Sequence, residues 1–253
     1  MTKENISVHR PKHKYPQNDN EWGAYLSGLI DGNGSFNLSN KQPRITICFN
    51  EKDVSLAYKL KKFIGYGTVS KKKGLEYRLI HPLGHIKLCK ILIYLQKPHK
   101  QQQWTRFCEF YDITVGPQSR NLSLLTSHWL AGFIDASGKL ELSIQHPKDK
   151  PNPIVFLSMS IDQKIENKNL LLGLKKQIDG ALVFDEKRKY ISYCLNSLSG
   201  VQTLITYLDQ FHLCGNKYKE YVIWRRGFFY RTDIETIQCF QKRLKTLKGL
   251  PVI

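Results

Sequence analysis

The chain has 253 residues, enough for one large or two modest domains with ample core. Its 39 Lys and Arg against 21 Asp and Glu give a formal net charge of +18, an excess that in a globular chain points first to nucleic acid. No run approaches the ~20 apolar residues of a membrane span, no secretory signal is visible, and no segment joins a strong apolar face to a clustered basic one, which argues against a membrane role. The six cysteines, at 48, 89, 108, 194, 214 and 239, stand apart without CxxC or Cys–His spacing, so they read as buried thiols of a reducing compartment rather than zinc ligands or disulfides.

In chain order, residues 1–18 carry Arg10, Lys12, His13 and Lys14 and read as a basic N-terminal arm that either tracks phosphates or is disordered. Asp19 or Asn20 is placed to cap a helix over Glu21–Gly32. Strands follow at 35–39 and 44–49 around Lys41-Gln42-Pro43, then a helix from Asn50 to Ile64 stopped by Gly65. A hairpin joins 66–70 to 75–80 across Lys71-Lys72-Lys73-Gly74, and a helix covers about 83–95. After a polar link at 112–126 the order repeats: a helix over 129–136, strands at 139–145 and 154–161, a helix from Asp162 to about Ile178, strands at 181–185 and 189–194, and a helix at 198–210. Both halves thus read αββαββα, which makes the chain an internal duplication. The expected divisions are an arm (1–18), a first repeat (19–111), a linker (112–126), a second repeat (127–216) and a basic helical extension (217–253) that includes Trp224-Arg225-Arg226 and a tail helix near 233–248.

One short stretch occurs in both halves. Leu26-Ser27-Gly28-Leu29-Ile30-Asp31-Gly32-Asn33-Gly34 corresponds to Leu130-Ala131-Gly132-Phe133-Ile134-Asp135-Ala136-Ser137-Gly138, and each copy ends an apolar helix and runs into an alternating strand. Small residues four apart, Gly28 with Gly32 and Gly132 with Ala136, put a close-approach face on each helix, so the two helices are expected to pack together. The paired stretches resemble the motifs of the LAGLIDADG family of homing endonucleases and intron maturases in its single-chain, two-repeat form, and the likeness runs from about Trp22 over nearly the whole chain. The resemblance implies an α+β fold in which the repeats form a concave antiparallel β saddle with helices on its back.

The resemblance also implies a site, and here the chain departs from the pattern. In the active family the eighth motif residue is an acid, one per helix, and the pair holds the divalent metals that cut both strands. This chain has Asn33 and Ser137 at those positions. Phosphodiester hydrolysis by two metals needs anionic oxygens to hold hard cations, so no catalytic residue, no metal and no cofactor are expected, Mg²⁺ entering only if the chain is a nuclease after all. Asp31 and Asp135 occupy the sixth motif position, which is not the family's metal ligand.

Strand parity divides the faces. Phe36, Leu38, Ile45, Ile47 and Phe49 lie on one side of the first sheet and Ser35, Asn37, Ser39, Arg44, Thr46 and Cys48 on the other. In the second half Leu140, Leu142, Ile144, Val155, Leu157 and Met159 point inward, and Lys139, Glu141, Ser143, Gln145, Ser158 and Ser160 outward. The outward set, with Arg78 and the loop clusters Lys71-Lys72-Lys73 and Lys187-Arg188-Lys189, is the candidate nucleic-acid surface, since such side chains read base edges and phosphates; a solvated sheet face and solvated hairpin tips are the ordinary alternatives. Phe156 joins the polar face by parity, where it would stack on an unpaired base, meet a partner protein, or turn inward at a β-bulge.

The expected function is therefore a nucleic-acid binder descended from an endonuclease, cleavage-inactive and holding structured RNA, as an intron-splicing maturase or a component of a ribosome or other RNA particle with its proteins as partners. The alternatives are a site-specific double-strand DNA homing endonuclease, with the neutral motif residues introduced or compensated elsewhere, and a DNA-binding regulator. The duplication removes the need for a homodimer. The resemblance implies a mitochondrial or chloroplast location, and the absence of a clear presequence is read as organelle encoding or a trimmed chain.

Overall fold

The computed structural model describes residues 6–38, 42–72, 74–92, 95–114, 124–148 and 151–251. The chain forms two compact units. One comprises Lys14–Ser137 with Leu213–Asn216, and the other Met1–His13, Gly138–His212 and Lys217–Ile253. Both motif helices therefore belong to the first unit.

The first unit opens with α1 (Asp19–Asn33). Its cap is Asn18, not Asp19 or Asn20: Asn18 is extended and its side chain accepts from Glu21 N, while the Glu21 carboxylate accepts from Asn18 Nδ2 and Gln17 N. Next come β1 (Gly34–Asn37) and β2 (Arg44–Phe49), then a 3₁₀ turn at Glu51–Asp53 leading into α2 (Val54–Ile64), which ends at the left-handed Gly65. The hairpin is β3 (Thr68–Ser70) with β4 (Leu75–Leu79). The first strand starts later than expected because Gly67 has φ +101 and the Tyr77 ring fills the space its side chain would need. The sheet order is β1-β2-β4-β3, all antiparallel.

Two helices follow where one was expected. α3 (Pro82–Ile91) starts with Pro82 at its first turn and ends before Leu95, and α4 (Pro98–Glu109) restarts at Pro98, which also fits a first turn because it needs no N–H donor there. The spacing of Trp104, Phe107 and Cys108 is the sequence signal for α4. Its apolar face covers β1, with Phe36 5.0 Å from the Trp104 ring and 5.9 Å from Phe107. Then comes α5 (Trp129–Ser137), the second motif helix, which packs on α1 within this unit.

The second unit repeats the plan. β5 (Gly138–Gln145) and β6 (Ile154–Lys164) precede a 3₁₀ turn (Ile165–Asn167) and α6 (Lys168–Gln177), then β7 (Ala181–Asp185), β8 (Tyr190–Leu195) and α7 (Leu198–Gln210). The sheet order is β5-β6-β8-β7. Asp162 does not start a helix; it lies in β6 opposite Ser192 and bonds Lys139, so the strand runs on to Lys164. Lys189 is likewise not in a strand but closes the β7–β8 turn at φ +56. α8 (Lys217–Phe229) takes the place on this sheet that α4 takes on the other: Trp224 Nε1 donates to Glu141 O at 3.0 Å, and Gly227 lies against Leu142 and Leu157. Each αββαββα segment is thus followed by one further helix against its sheet, α4 in the first repeat and α8 in the helical extension. α9 (Ile234–Lys248) completes the unit, capped by Asp233. Among the described residues no helix is long and apolar enough to cross a membrane.

The α1–α5 contact is backbone against backbone. A Cβ at Gly28 would lie 1.9 Å from Trp129 O, and one at Gly132 would lie 2.0 Å from Tyr25 O. Neither carbonyl can give way without moving its helix. Gly132→Ala is therefore expected to cost about 3 kcal/mol or more by overpacking, read as a lowered urea midpoint with an unchanged m-value.

Candidate nucleic-acid interface

The motif helices carry two aspartates used in the same way. Asp31 is fully buried and its carboxylate accepts from Gln96 N (2.7 Å), Lys97 N (3.2 Å) and Trp129 Nε1 (3.0 Å). Asp135 accepts from Cys214 N (2.7 Å), Gly215 N (3.0 Å) and the Tyr25 hydroxyl (2.7 Å). Each acid thus binds the segment that follows α3 or α7 and an aromatic donor from the opposite motif helix. Burial pushes the Asp31 carboxyl up to about 6, against the pull of its three donors. Burial, followed by the charge of Asp135, raises the Tyr25 hydroxyl far above its ordinary value, so it stays a donor.

At the helix ends stand the residues that the resemblance assigns to metal binding. Asn33 is exposed and its Nδ2 donates to Ala136 O at 2.9 Å, tying one end to the other. Ser137 Oγ is buried and has no hydrogen-bond partner among the described residues. A Cβ at Gly32 would meet Ala136 Cβ at 2.2 Å and Ser137 Oγ at 2.9 Å, so these ends touch. An amide turned to a carbonyl and a buried hydroxyl do not fit a divalent cation, and the neighbouring carboxylates of Asp31 and Asp135 are engaged by protein donors. Among the described residues no group of three or more His, Cys, Asp or Glu side chains is placed to hold a metal.

The sheet faces follow from register. In the first unit Ser35 lies opposite Thr46, Asn37 opposite Arg44, and Thr46 opposite Arg78, which brings these five side chains onto one face. Phe36, Ile45, Ile47, Leu75, Tyr77 and Leu79 are buried beneath. Strand pairing adds Thr68, Ser70 and Glu76 to the exposed face, beyond the expected set; the alternation of buried Leu75, Tyr77 and Leu79 with Glu76 and Arg78 is the signal for the last. Arg78 is ion-paired to Glu76. Lys71 and Lys72 are exposed at the hairpin turn, while Ser39 and Lys73 lie outside the described residues.

In the second unit Lys139 faces Ser160, Glu141 faces Ser158, Ser143 faces Phe156 and Gln145 faces Ile154. The register is unbroken, so Phe156 stays half-buried on the polar face without a bulge. Asp162 and Ser192 also belong to this face: Lys139 Nζ lies 2.7 Å from Asp162, and Ser192 Oγ donates to Asp162 at 2.6 Å. The hydrogen bond from Lys139 and then that from Ser192 hold the Asp162 carboxyl below its ordinary range. Lys187, Arg188 and Lys189 are exposed at the β7–β8 turn, with Arg188 3.7 Å from Asp185.

The family model described as LAGLIDADG endonuclease matches residues 26–111 and 130–227. A Schizosaccharomyces pombe protein, described as an uncharacterized cox1 intron-2 37.2 kDa protein, is 36% identical over 90% of this chain and 72% of its own length. The intron-encoded DNA endonuclease ai2a of Dictyostelium discoideum is 25% identical over 57% of this chain, and the match spans 47% of that protein. Among solved structures, the I-LtrWI LAGLIDADG homing endonuclease bound to target DNA aligns with a TM-score of 0.70 at 19% identity, over 92% of this chain and 98% of that one. I-SmaMI bound to an uncleaved DNA target with calcium ions aligns at 0.65 and 20% identity, over 90% and 97%. At these identities the likeness establishes the fold.

Asp31 titrates between its unfolded value of 3.8 and about 6. Over that window the folded state holds the extra proton, so the contribution of this group to stability falls as pH rises. Asp31→Asn removes the titration. Its stability relative to the wild type should rise by about 3 kcal/mol between pH 3.5 and pH 7, measured by urea denaturation at both pH values.

Proposed function

The chain belongs to the LAGLIDADG endonuclease family, and from that premise we propose that it holds nucleic acid without cutting it. The observation that carries this reading is the pair of motif-helix ends, where Asn33 bonds a backbone carbonyl and Ser137 is a buried hydroxyl. Hydrolysis by metal-bound water needs carboxylates there, and the two aspartates nearby are committed to the helix interface. Binding needs none of these groups. It needs cations for phosphates and polar side chains on an open strand face, and both repeats (19–111 and 127–216) supply them: Ser35, Asn37, Arg44, Thr46 and Arg78 on one sheet, Lys139, Ser143, Gln145, Ser158 and Ser160 on the other, with Lys71, Lys72, Lys187, Arg188 and Lys189 at the turns.

Structured RNA is the proposed ligand. The half-buried Phe156 ring amid a polar face suits an unpaired base. An intron-splicing cofactor or a component of an RNA particle in a mitochondrion or chloroplast fits such a ligand, working as a single chain beside splicing or ribosomal proteins. A second reading, recognition of duplex DNA, is favoured by the fold's likeness to I-LtrWI and I-SmaMI, which are described as bound to DNA; under it Mg²⁺ would be required for any cleavage.

Crosslinking in the source organelle followed by sequencing of the bound nucleic acid tests the ligand. Reads on an intron or a ribosomal RNA support the proposal, and reads confined to one DNA site of about twenty base pairs would overturn it. With the recovered ligand, no strand scission is expected in Mg²⁺. Lys71→Glu with Lys72→Glu should lower the slope of log affinity against log salt by about two.

A further inference from the structure

The second unit carries a cleft apart from its polar sheet face. Leu142 and Leu157 pack against Gly227 of α8, so the side chains alternating with them, Ser143 and Ser158, point away from the helices. On the outer side of those helices, α8, α9 and the N-terminal segment enclose a cleft of about 470 Å³. Val222 and Phe240 belong to its apolar lining, four cations (Arg10, Lys219, Arg226 and Arg243) line it as well, and no lining residue is acidic. A recess of about 580 Å³ shares Arg10, Val222, Arg226 and Phe240 with it and extends toward Val8 and His9.

The cleft is built rather than incidental. Arg225, 2% exposed, bonds Asp209 through Nε (2.9 and 3.0 Å) and Nη2 (2.8 Å), and its remaining donors reach Val8 O (3.1 Å) and Ser7 O (2.7 Å). That network fixes the N-terminal segment to α8, and His13 stacks on Tyr218 at 3.7 Å. Arg10 is thereby held 5.7 Å over the Tyr218 ring, which also lines the cleft. The neighbouring arginines of the Trp224-Arg225-Arg226 run divide the work: one is structural, and the other is exposed in the cleft. Among the described residues Lys219, Arg226 and Arg243 take part in no ion pair.

We propose that this cleft is a second nucleic-acid site, which takes a single-stranded RNA segment with an unstacked base over Val222 and Phe240 and its flanking phosphates on Arg10, Lys219, Arg226 and Arg243. Three of the four cations are arginines, whose planar forks suit phosphate oxygens and stack on bases. An apolar lining interspersed with cations matches a base between phosphates. A duplex keeps its bases stacked inside and presents mainly its backbone, so it leaves such an apolar lining uncovered. The site does not depend on the sheet faces, and it gives the helical extension a task of its own.

The test uses the full-length chain and a labelled oligouridylate of about ten nucleotides, followed by fluorescence anisotropy, with 4-thiouridine in the oligonucleotide for crosslinking. Arg226→Glu with Arg243→Glu should weaken binding about tenfold or more. Lys175→Glu with Lys176→Glu, the same charge change on α6, should stay within about twofold. Crosslinks should fall on peptides holding Val222 or Phe240. If the charge-reversed variant fails to fold by circular dichroism, Arg226→Gln with Arg243→Gln provides the same comparison. Unchanged affinity in the arginine variant overturns the proposal, as does displacement of oligouridylate by phosphatidylserine vesicles or polyglutamate at matched charge. Weakening only by Lys71→Glu with Lys72→Glu, with crosslinks confined to strands, overturns the cleft and leaves the sheet reading standing.

Discussion

The backbone contact between α1 and α5 is the constraint on which the arrangement of the motif region depends. Gly28 sits against the carbonyl of residue 129, and Gly132 against that of residue 25, so each helix leaves room for the other at equivalent points of the two repeats. With the backbones this close, Tyr25 and Trp129 reach across and donate to Asp135 and Asp31. Each carboxylate then gathers the two backbone N–H groups of the segment that follows the next helical layer, Gln96 and Lys97 in one repeat and Cys214 and Gly215 in the other. Hydrogen bonds to a charged acceptor contribute about 1.5–3 kcal/mol each, and burial of the charge opposes them. The raised Asp31 carboxyl records that opposition.

This use of the aspartates separates fold from chemistry. The sixth motif position holds the helices and the following segments together, each carboxylate accepting three hydrogen bonds from the protein. The eighth position lies at the helix ends, beyond the buried contacts made by Gly28, Gly132 and the two aspartates. Asn33 even adds a bond across the ends, to Ala136 O. A chain can therefore lose its metal-holding acids and keep its helix pair, its strands and the polar faces they carry. That independence is the physical basis for reading the protein as a binder.

Much of this was legible in the sequence because it rests on spacing. The repeated nine-residue stretch announced the helix pair, strand alternation assigned Phe36, Ile45 and Ile47 to the core and Ser35, Asn37 and Thr46 to the other face, and both sheets have the strands the pattern called for. What the spacing could not carry was pairing. Asp162 and Ser192 join the polar face where the central strands β6 and β8 pair, and nothing local says that Lys139 will bond Asp162. The helix at Pro98–Glu109 was missed because its charged and amide residues outnumber its apolar ones, although Phe36 needed Trp104 and Phe107 as cover. The role of Asp31 was hidden as well, since its donors lie 65, 66 and 98 residues away.

The most direct test of the central claim is Mn²⁺ binding followed by electron paramagnetic resonance, with bound RNA or duplex present. The account predicts that the native chain takes up no Mn²⁺ at the motif-helix ends and that Asn33→Asp with Ser137→Asp creates a site there. A bound Mn²⁺ signal in the native chain that Asn33→Ala abolishes would contradict it.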